Sequence, residues 1–543
     1  MRVVKFLLVA FVSVSLGATY YVSPDGSDSW DGSAAHPWAT PGYGSKHIAP
    51  GDTLIILPGE YVMSVYWDDM ITPPSGSPGA PTVIMGEGYP PPKMMGTGSL
   101  FSCVQISDGS HIVIKNLELT SLIDTPYSGG CREGIDATSD VSDLTFEDLI
   151  IHRVEEMGIN LGGDAQNIVI RRCNIHHCGY TAIGGPAPSG DGWVDVLIDS
   201  CYLGYCGRFY HGRDTVAWVW DRPDGLGMEP SEGPLEVRYT ISEYNMGDGL
   251  DSKSRRTYIH HCIVANNFAD GVKLWGDSSR VENTLVYGTG AGFDETTPWC
   301  LLVIDCEDSG AHFEVINCTF WDSPDRPPHY LGTVQYDTHA PISLVLRNNI
   351  FAAQRALFLD DAVNLVCDHN LFDIRDAVQL HWRDTYTCAN IGDLGAGNFC
   401  DSPEFVDEPA WGDTGDFHLA EGSPGIDAGA SVSLSDDLDG TSRPQGSGYD
   451  IGCYERSEST GIKETPSCEN YREPTARFVP GRGVLVNSFG RTEVTIVALD
   501  GKVLKTAEGT GEFVVDFDPP AGVYLVRMKI AGKTTAEKIV VIK

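Results

Sequence analysis

Short apolar runs with a two-residue alternation recur along most of this chain. Examples are Ile168-Val169-Ile170-Arg171-Arg172-Cys173, Val196-Leu197-Ile198-Asp199-Ser200-Cys201 and Tyr258-Ile259-His260-His261-Cys262. Later versions are Phe313-Glu314-Val315-Ile316-Asn317-Cys318 and Leu344-Val345-Leu346-Arg347-Asn348-Asn349. β-branched runs bounded by Gly, Asn and Asp are strand signals. No helical period separates them, which argues against a βαβ sheet. Between the runs a second phrase returns: Asp224-Gly225-Leu226-Gly227, Asp248-Gly249-Leu250-Asp251 and Asp270-Gly271-Val272-Lys273. Its spacing is 24 and then 22 residues. Upstream, Gly134-Ile135-Asp136, Gly158-Ile159-Asn160 and Ala182-Ile183-Gly184 repeat every 24 residues, and Gly292-Phe293-Asp294 follows Gly271 by 21. Such a period predicts a solenoid whose coils return the chain to one face, one strand-width further along. The fold predicted is all-β, a parallel β-helix.

The register explains a column of small residues. Cys173, Cys201, Thr240, Cys262, Thr284, Cys318 and Asn349 fall at one position and should stack inward, with the thiols reduced and buried. A metal site needs ligands converging on one point, and a ladder spreads them out. Cys178 and Cys206 form a second aligned pair open to bridging, as are Cys388 and Cys400. The His176-His177 and His260-His261 pairs alternate along their strands, so neither pair should share one face, and both read as structural.

The two ends differ from the middle. Arg2 and Lys5 precede an apolar run from Phe6 to Leu16, followed by Gly17 and Ala18. This reads as a secretory signal over residues 1–18 and predicts export, with the mature protein soluble or held at the surface. The β-helix should occupy 19–456, a polar linker 457–475, and a small β-sandwich 476–543. The last segment carries ten basic against seven acidic residues, whereas the whole chain has a formal charge of −38. Nucleic acid is excluded as a partner by that acidity, and anionic membranes are disfavoured. An acidic polysaccharide is disfavoured too, unless calcium or a local basic cluster screens the groove. The protein is expected to act as a monomer.

Three resemblances add to this. Tyr20-Tyr21-Val22-Ser23-Pro24-Asp25-Gly26, Pro50-Gly51-Asp52-Thr53 and Pro58-Gly59-Glu60-Tyr61 resemble the opening coils of secreted, right-handed, pectate-lyase-like β-helix proteins. Ser423-Pro424-Gly425-Ile426-Asp427-Ala428-Gly429 and Asp450-Ile451-Gly452-Cys453-Tyr454-Glu455 resemble the segment that closes many of them. Val497-Ala498-Leu499-Asp500-Gly501-Lys502-Val503 and Pro520-Ala521-Gly522-Val523-Tyr524-Leu525-Val526 resemble the C-terminal sorting domain of the type IX secretion system. That resemblance implies the type IX machinery as a partner and passage across an outer membrane.

Alternation fixes directions within a coil. Leu226, Leu250, Val272 and Phe293 should point inward, so Gly227, Asp251, Lys273 and Asp294 should point out. Asp251, Lys273 and Asp294 then stack as minus, plus, minus, at coil spacings of about 4.8 Å. A second outward column holds Glu229, Lys253 and Trp275, placed to bind substrate. Gly184 and Gly227 should leave the neighbouring surface open for an extended chain. Asp224, Asp248, Asp251 and Asp270 offer oxygen ligands for Ca²⁺. The chemistry that suits this set is β-elimination of a uronic-acid polysaccharide, with Lys273, Asp251 and Asp294 as the catalytic group. A lysine between acids is held protonated, so Lys273 needs desolvation or a bound calcium to act as a base. In the insertion at about 207–223, Arg213 is placed to bind a uronate carboxylate and Tyr210 to contact substrate. The site is similar to polysaccharide lyase family nine, in which calcium sits on aspartates of one coil and a lysine is the base. That family's Asp-Asp-Gly-x-Asp is here Gly247-Asp248-Gly249-Leu250-Asp251, one aspartate fewer, and Ala269-Asp270-Gly271-Val272-Lys273, where lysine also replaces the last acid.

Two other readings stay open. Asp-Gly is a favoured turn dipeptide, so the turn aspartates have a purely structural explanation. Inverting hydrolysis by Asp251 and Asp294, or a non-catalytic glycan-binding role, also fits the pattern.

Overall fold

The computed structural model describes residues 17–123, 127–187, 190–207, 223–288, 300–323, 330–353, 357–360, 362–374, 378–380, 384–410, 412–456, 475–479, 483–498, 503–515, 522–530 and 533–541. Residues 1–16 of the expected signal and all but the last residue of the expected linker lie outside them.

Each coil of the β-helix adds one strand to each of three sheets. The first and second sheets have 13 strands and the third has 12. Within the solenoid body neighbouring strands run parallel. Thus Val141–Glu147 pairs with Ala165–Arg171 in the first sheet, and Ile150–His152 with Asn174–His176 in the second. Corners between the first and second sheets fall on single left-handed residues. Asp148, Arg172, Ser200, Tyr239, His261, Asn283, Asn317 and Asn348 all have positive φ. That conformation turns the chain sharply, and short polar side chains such as Asn and Asp tolerate it best.

Alternation sorts side chains as the sequence implies. Leu144, Phe146, Ile168, Ile170, Val196 and Ile198 fill one continuous core. The small-residue column is formed. Cys173, Cys201, Thr240, Cys262, Thr284, Cys318 and Asn349 each precede paired strands of the second sheet and are buried. Their cysteines are free thiols, and so are Cys178 and Cys206. Cys388 and Cys400 form a disulfide. Downstream the column becomes an asparagine ladder, in which Nδ2 of Asn349 donates to Oδ1 of Asn370, and Nδ2 of Asn370 to Oδ1 of Asn398.

The histidine pairs depart from the alternation argument. His177 and His261 are left-handed corner residues, so their rings swing back onto the preceding histidine. Nδ1 of His176 lies 2.8 Å from Nδ1 of His177, and the same distance separates His260 and His261.

One end and one face of the rod are covered. The short helix Pro41–His47 packs Gly44 against Val22, Leu54 and Trp38. Residues 405–454 lie over the outer face of the second sheet, where Phe405, Phe417, Leu419 and Tyr454 join Leu285, Tyr287, Trp321 and Ile350 in a second core. A fully buried pair between Arg443 and Glu455, 2.8 Å apart, pins this closing segment. The Asp436–Gly440 run is a turn: Oδ1 of Asp437 accepts the N–H groups of Asp439 and Thr441. From Thr475 to Val541 the strands are antiparallel and form a small separate β unit. No helix among the described residues is long and apolar enough to cross a membrane.

Candidate functional site

The turns that lead from the second sheet into the third carry Asp224, Asp248 and Asp270. These carboxylates form a ladder along the rod. Oδ1 of Asp224 accepts the N–H of Asp248 at 2.6 Å, and Oδ1 of Asp248 that of Asp270 at 2.9 Å. Oδ1 of Asp270 accepts the N–H of Cys300 at 2.7 Å. Each of these aspartates therefore uses one oxygen to fix the next coil. The glycines that follow them are not in the left-handed region. They are required because the corner is full: a Cβ on Gly271 would meet Val286 at 2.5 Å, and those on Gly225 and Gly249 would meet Ser242 and Val264.

The remaining oxygens face a pair of lysines. In the third sheet Asp251 pairs with Lys273, and Gly227 with Asp251. Nζ of Lys273 lies 3.0 Å from Oδ2 of Asp248 and 3.4 Å from Oδ2 of Asp251. Nζ of Lys253 lies 3.3 Å from that same Asp251 oxygen and 3.2 Å from Oε1 of Glu229. Both ammonium groups stand 5.7 Å from the centre of the Trp275 ring. Asp251 is only 5% exposed, and its Oδ1 is buried with no hydrogen-bond partner among the described residues. One carboxylate oxygen from each of Asp224, Asp248 and Asp251 lies within 4.8 Å of the others.

The electrostatics follow from this crowding. Burial, and then repulsion from Asp248 and Asp251, push the Asp224 carboxyl well above its usual range. Burial also raises Asp251, against the pull of Lys273 and Lys253. Burial works to deprotonate Lys273, but Asp248, Asp251, Asp270 and Asp224 together outweigh it and hold the ammonium charged well above its usual range. Lys253 is shifted the same way, its burial outweighed by Asp251 and Glu229. Four aspartates face two lysines, an excess of negative charge suited to a divalent cation. An all-carboxylate donor set suits a hard ion such as Ca²⁺.

The strand register brings most of the expected group together. Asp224, Asp248, Asp251, Asp270, Lys273, Lys253, Glu229 and Trp275 come together on one stretch of the helix. The third partner of the expected triplet is different. Val303, not Asp294, is the strand neighbour of Lys273. The coil between them is longer than its predecessors, and the strand that pairs is Leu302–Ile304, whose Leu302 and Ile304 are fully buried. Gly292-Phe293-Asp294 repeats the motif in sequence only. Asp294 lies outside the described residues, as do Arg213 and Tyr210. The Asp251–Asp294 pair expected for inverting hydrolysis is therefore not made by the strand register.

A second correction concerns the glycines. Gly184 and Gly227 do not leave open surface. A Cβ on Gly227 would lie 2.6 Å from Oδ2 of Asp224, and one on Gly184 would lie 2.8 Å from the Met157 sulfur. Gly227 instead makes room for the Asp224 carboxylate. Glu133 was not singled out by the repeat, yet it is buried upstream on the same sheet. There Nδ2 of Asn160 donates to both Glu133 and Asp136. Its position, three residues before Asp136, breaks the two-residue alternation that reveals the rest.

Comparison with known proteins agrees on the architecture. A family described as the right handed beta helix region matches residues 97–289. No curated protein matches the chain. Among solved structures, pectate lyase Pel9A is similar at 16% identity over 82% of this chain and 98% of its own, with a TM-score of 0.47. XylC in complex with xylose is similar at 11% identity over 80% and 99%, with a TM-score of 0.48. An alginate lyase from Paenibacillus sp. str. FPU-7 is similar at 12% identity over 67% and 97%, with a TM-score of 0.33. The protein is a right-handed parallel β-helix with a small C-terminal β unit.

Proposed function

We propose that this protein is an exported polysaccharide lyase that cleaves a uronic-acid polymer by β-elimination at the Asp251–Lys273 cluster. One observation carries the reading: three aspartate oxygens converge beside two lysines, and one buried oxygen of Asp251 lacks a partner among the described residues. A purely structural ladder explains Oδ1 of Asp224, Asp248 and Asp270, but not the Asp251 carboxylate.

Asp224, Asp248 and Asp251 are the residues that would hold Ca²⁺, with Asp270 beside them. The ion would supply positive charge for the substrate carboxylate and for the enolate-like state that develops. Lys253 keeps Glu229 as a partner and stays protonated, so it is the group to bind the uronate carboxylate. Among the described residues, Lys273 has only aspartates as ion partners. Once those oxygens are engaged elsewhere, burial favours its neutral amine. The amine then takes the proton on the carbon beside the carboxylate. A carbon–carbon double bond forms, the glycosidic carbon–oxygen bond at the next carbon breaks, and the leaving oxygen takes a proton from solvent. Trp275, part-exposed beside both lysines, offers a stacking face for a sugar ring.

The first test is an ultraviolet assay for unsaturated uronide on pectin, alginate and glycosaminoglycans, with Ca²⁺ and with chelator. Absorbance should grow, require Ca²⁺ and vanish in Lys273→Ala. A flat trace across the panel, with no new reducing ends, overturns the reading in favour of a glycan-binding or structural β-helix. The N-terminal apolar run and the tail's resemblance to a type IX sorting domain support an exported or surface-attached location. Tail-deleted protein should then accumulate inside the cell envelope.

A further inference from the structure

The turn Ser64–Asp69 is exposed yet firmly held. Val65, Tyr66 and Trp67 are 50%, 65% and 49% exposed. Trp67 holds a positive φ of 66°, which is costly for a bulky residue. The turn is fixed from within and below. Oδ2 of Asp69 accepts the N–H groups of Ser64 at 2.6 Å and Val65 at 2.7 Å. Nζ of Lys46 donates to the carbonyls of Asp68 at 3.1 Å and Met70 at 2.6 Å. A chain that only needed to turn here would not hold two aromatic rings in water on a strained backbone.

Beside it is a shallow hollow of about 150 Å³, lined by residues that include Pro24, Thr40, Glu60, Val62, Met63 and Asp69. Met63 precedes the turn and Asp69 closes it, and both line the hollow, so the turn that carries Tyr66 and Trp67 rises from its wall. That volume suits a single ring, and the hollow is smaller than the pockets that enclose a whole ligand. Its chemistry is one-sided. Glu60 and Asp69 supply carboxylate acceptors, and no Lys, Arg or His lines it among the described residues. Carboxylates bind sugar hydroxyl groups well and repel a uronate. Aromatic faces stack on the apolar side of a pyranose.

We propose that this hollow and the Tyr66–Trp67 turn form a glycan-binding site for neutral sugar residues, distinct from the acid–lysine cluster. The site lies on the same edge of the rod as the aspartate turns, joining the second sheet to the third. Strand register places it five coils upstream of Asp224, about 24 Å along the axis. A branched or mixed polymer would span that distance, with neutral residues held here and acidic ones at the cluster. The site stands on its own geometry and does not depend on the lyase reading.

Affinity electrophoresis of the full chain through gels containing galactan, arabinan, xylan, mannan or polygalacturonate tests this. At least one neutral glycan should retard the protein. The Tyr66→Ala/Trp67→Ala variant should lose about ten-fold or more of that affinity, while Trp67→Phe, which keeps a flat ring, retains most of it. Thermal unfolding midpoints should agree between wild type and all variants, which shows that the fold is intact. Retardation by no neutral glycan overturns the proposal, as does retardation indifferent to the double variant. Sensitivity of the variants on polygalacturonate alone also overturns it.

Discussion

Asp251 shows how much one residue's position decides. Both lysines share its Oδ2, while its Oδ1 is buried without a partner. A buried, unpaired carboxylate oxygen is costly, and a bound cation would remove that cost. Asp251→Asn should therefore weaken Ca²⁺ binding by about ten-fold or more in calorimetric titration. Gly227 gives an independent check at the same scale. A methyl group there meets Oδ2 of Asp224 at 2.6 Å and must displace it. Gly227→Ala should lower Ca²⁺ affinity while leaving the circular dichroism spectrum unchanged. Equal affinity in both variants would mean that these oxygens hold no cation. The sequence showed that Asp224, Asp248 and Asp251 belong together, because the repeat stacks them. It did not show that Gly227 serves the Asp224 carboxylate, because that contact runs within one turn and leaves no periodic trace.

At the scale of elements, ladders and a closing flap hold the rod together. Oδ1 of Asn349 accepts the N–H of Cys318 at 2.9 Å, and its Nδ2 donates to the carbonyl of Val315 at 2.8 Å. Asn349→Ala strands these groups in the interior and should cost about 3 kcal/mol, read as a lowered midpoint in denaturant. The flap over the second sheet carries its own ionic staple. Nδ1 of His418 is 2.6 Å from Asp416, its Nε2 is 2.9 Å from Asp439, and its ring stacks on Tyr454. Burial opposes the imidazolium, but the two carboxylates prevail and raise the pKa from 6.5 to about 9. Its contribution to stability is complete below about pH 6.5 and is lost as pH rises through about 9. The gap in thermal midpoint between wild type and His418→Gln should therefore be wide at pH 6 and narrow at pH 10. A gap that widened with pH would refute the staple. No repeat marks Asp439, because its histidine partner lies 21 residues earlier, on the strand Asp416–Leu419.

The whole molecule carries a formal charge of −38, which repels a polyuronate until salt or a bound cation screens it. The Debye length falls from about 30 Å at 0.01 M salt to about 8 Å at 0.15 M. At fixed Ca²⁺, KM on an acidic polymer should therefore fall as salt rises over that range. A KM that rises instead would mean that the local field of Lys253 and Lys273 governs capture.

Period, alternation and corner residues are local properties, and they specified the architecture without help. Coils of 22 to 24 residues, strands of two-residue alternation and a buried Cys–Thr–Asn column follow from which residues sit two, or one coil, apart. The same logic brought Asp224, Asp248, Asp251 and Lys273 onto one edge. Only the tertiary structure decided which repeat occupies each rung. Phrase matching put Asp294 beneath Lys273, whereas pairing and burial put Val303 there, because a sheet selects the strand that fills the core rather than the one that matches a motif. Only folding, likewise, could divide each aspartate's two oxygens between backbone and site, leave Asp251 Oδ1 unpartnered, and turn the gap at Gly227 into space for a carboxylate. These are distances between groups on different coils, set by how closely the coils pack.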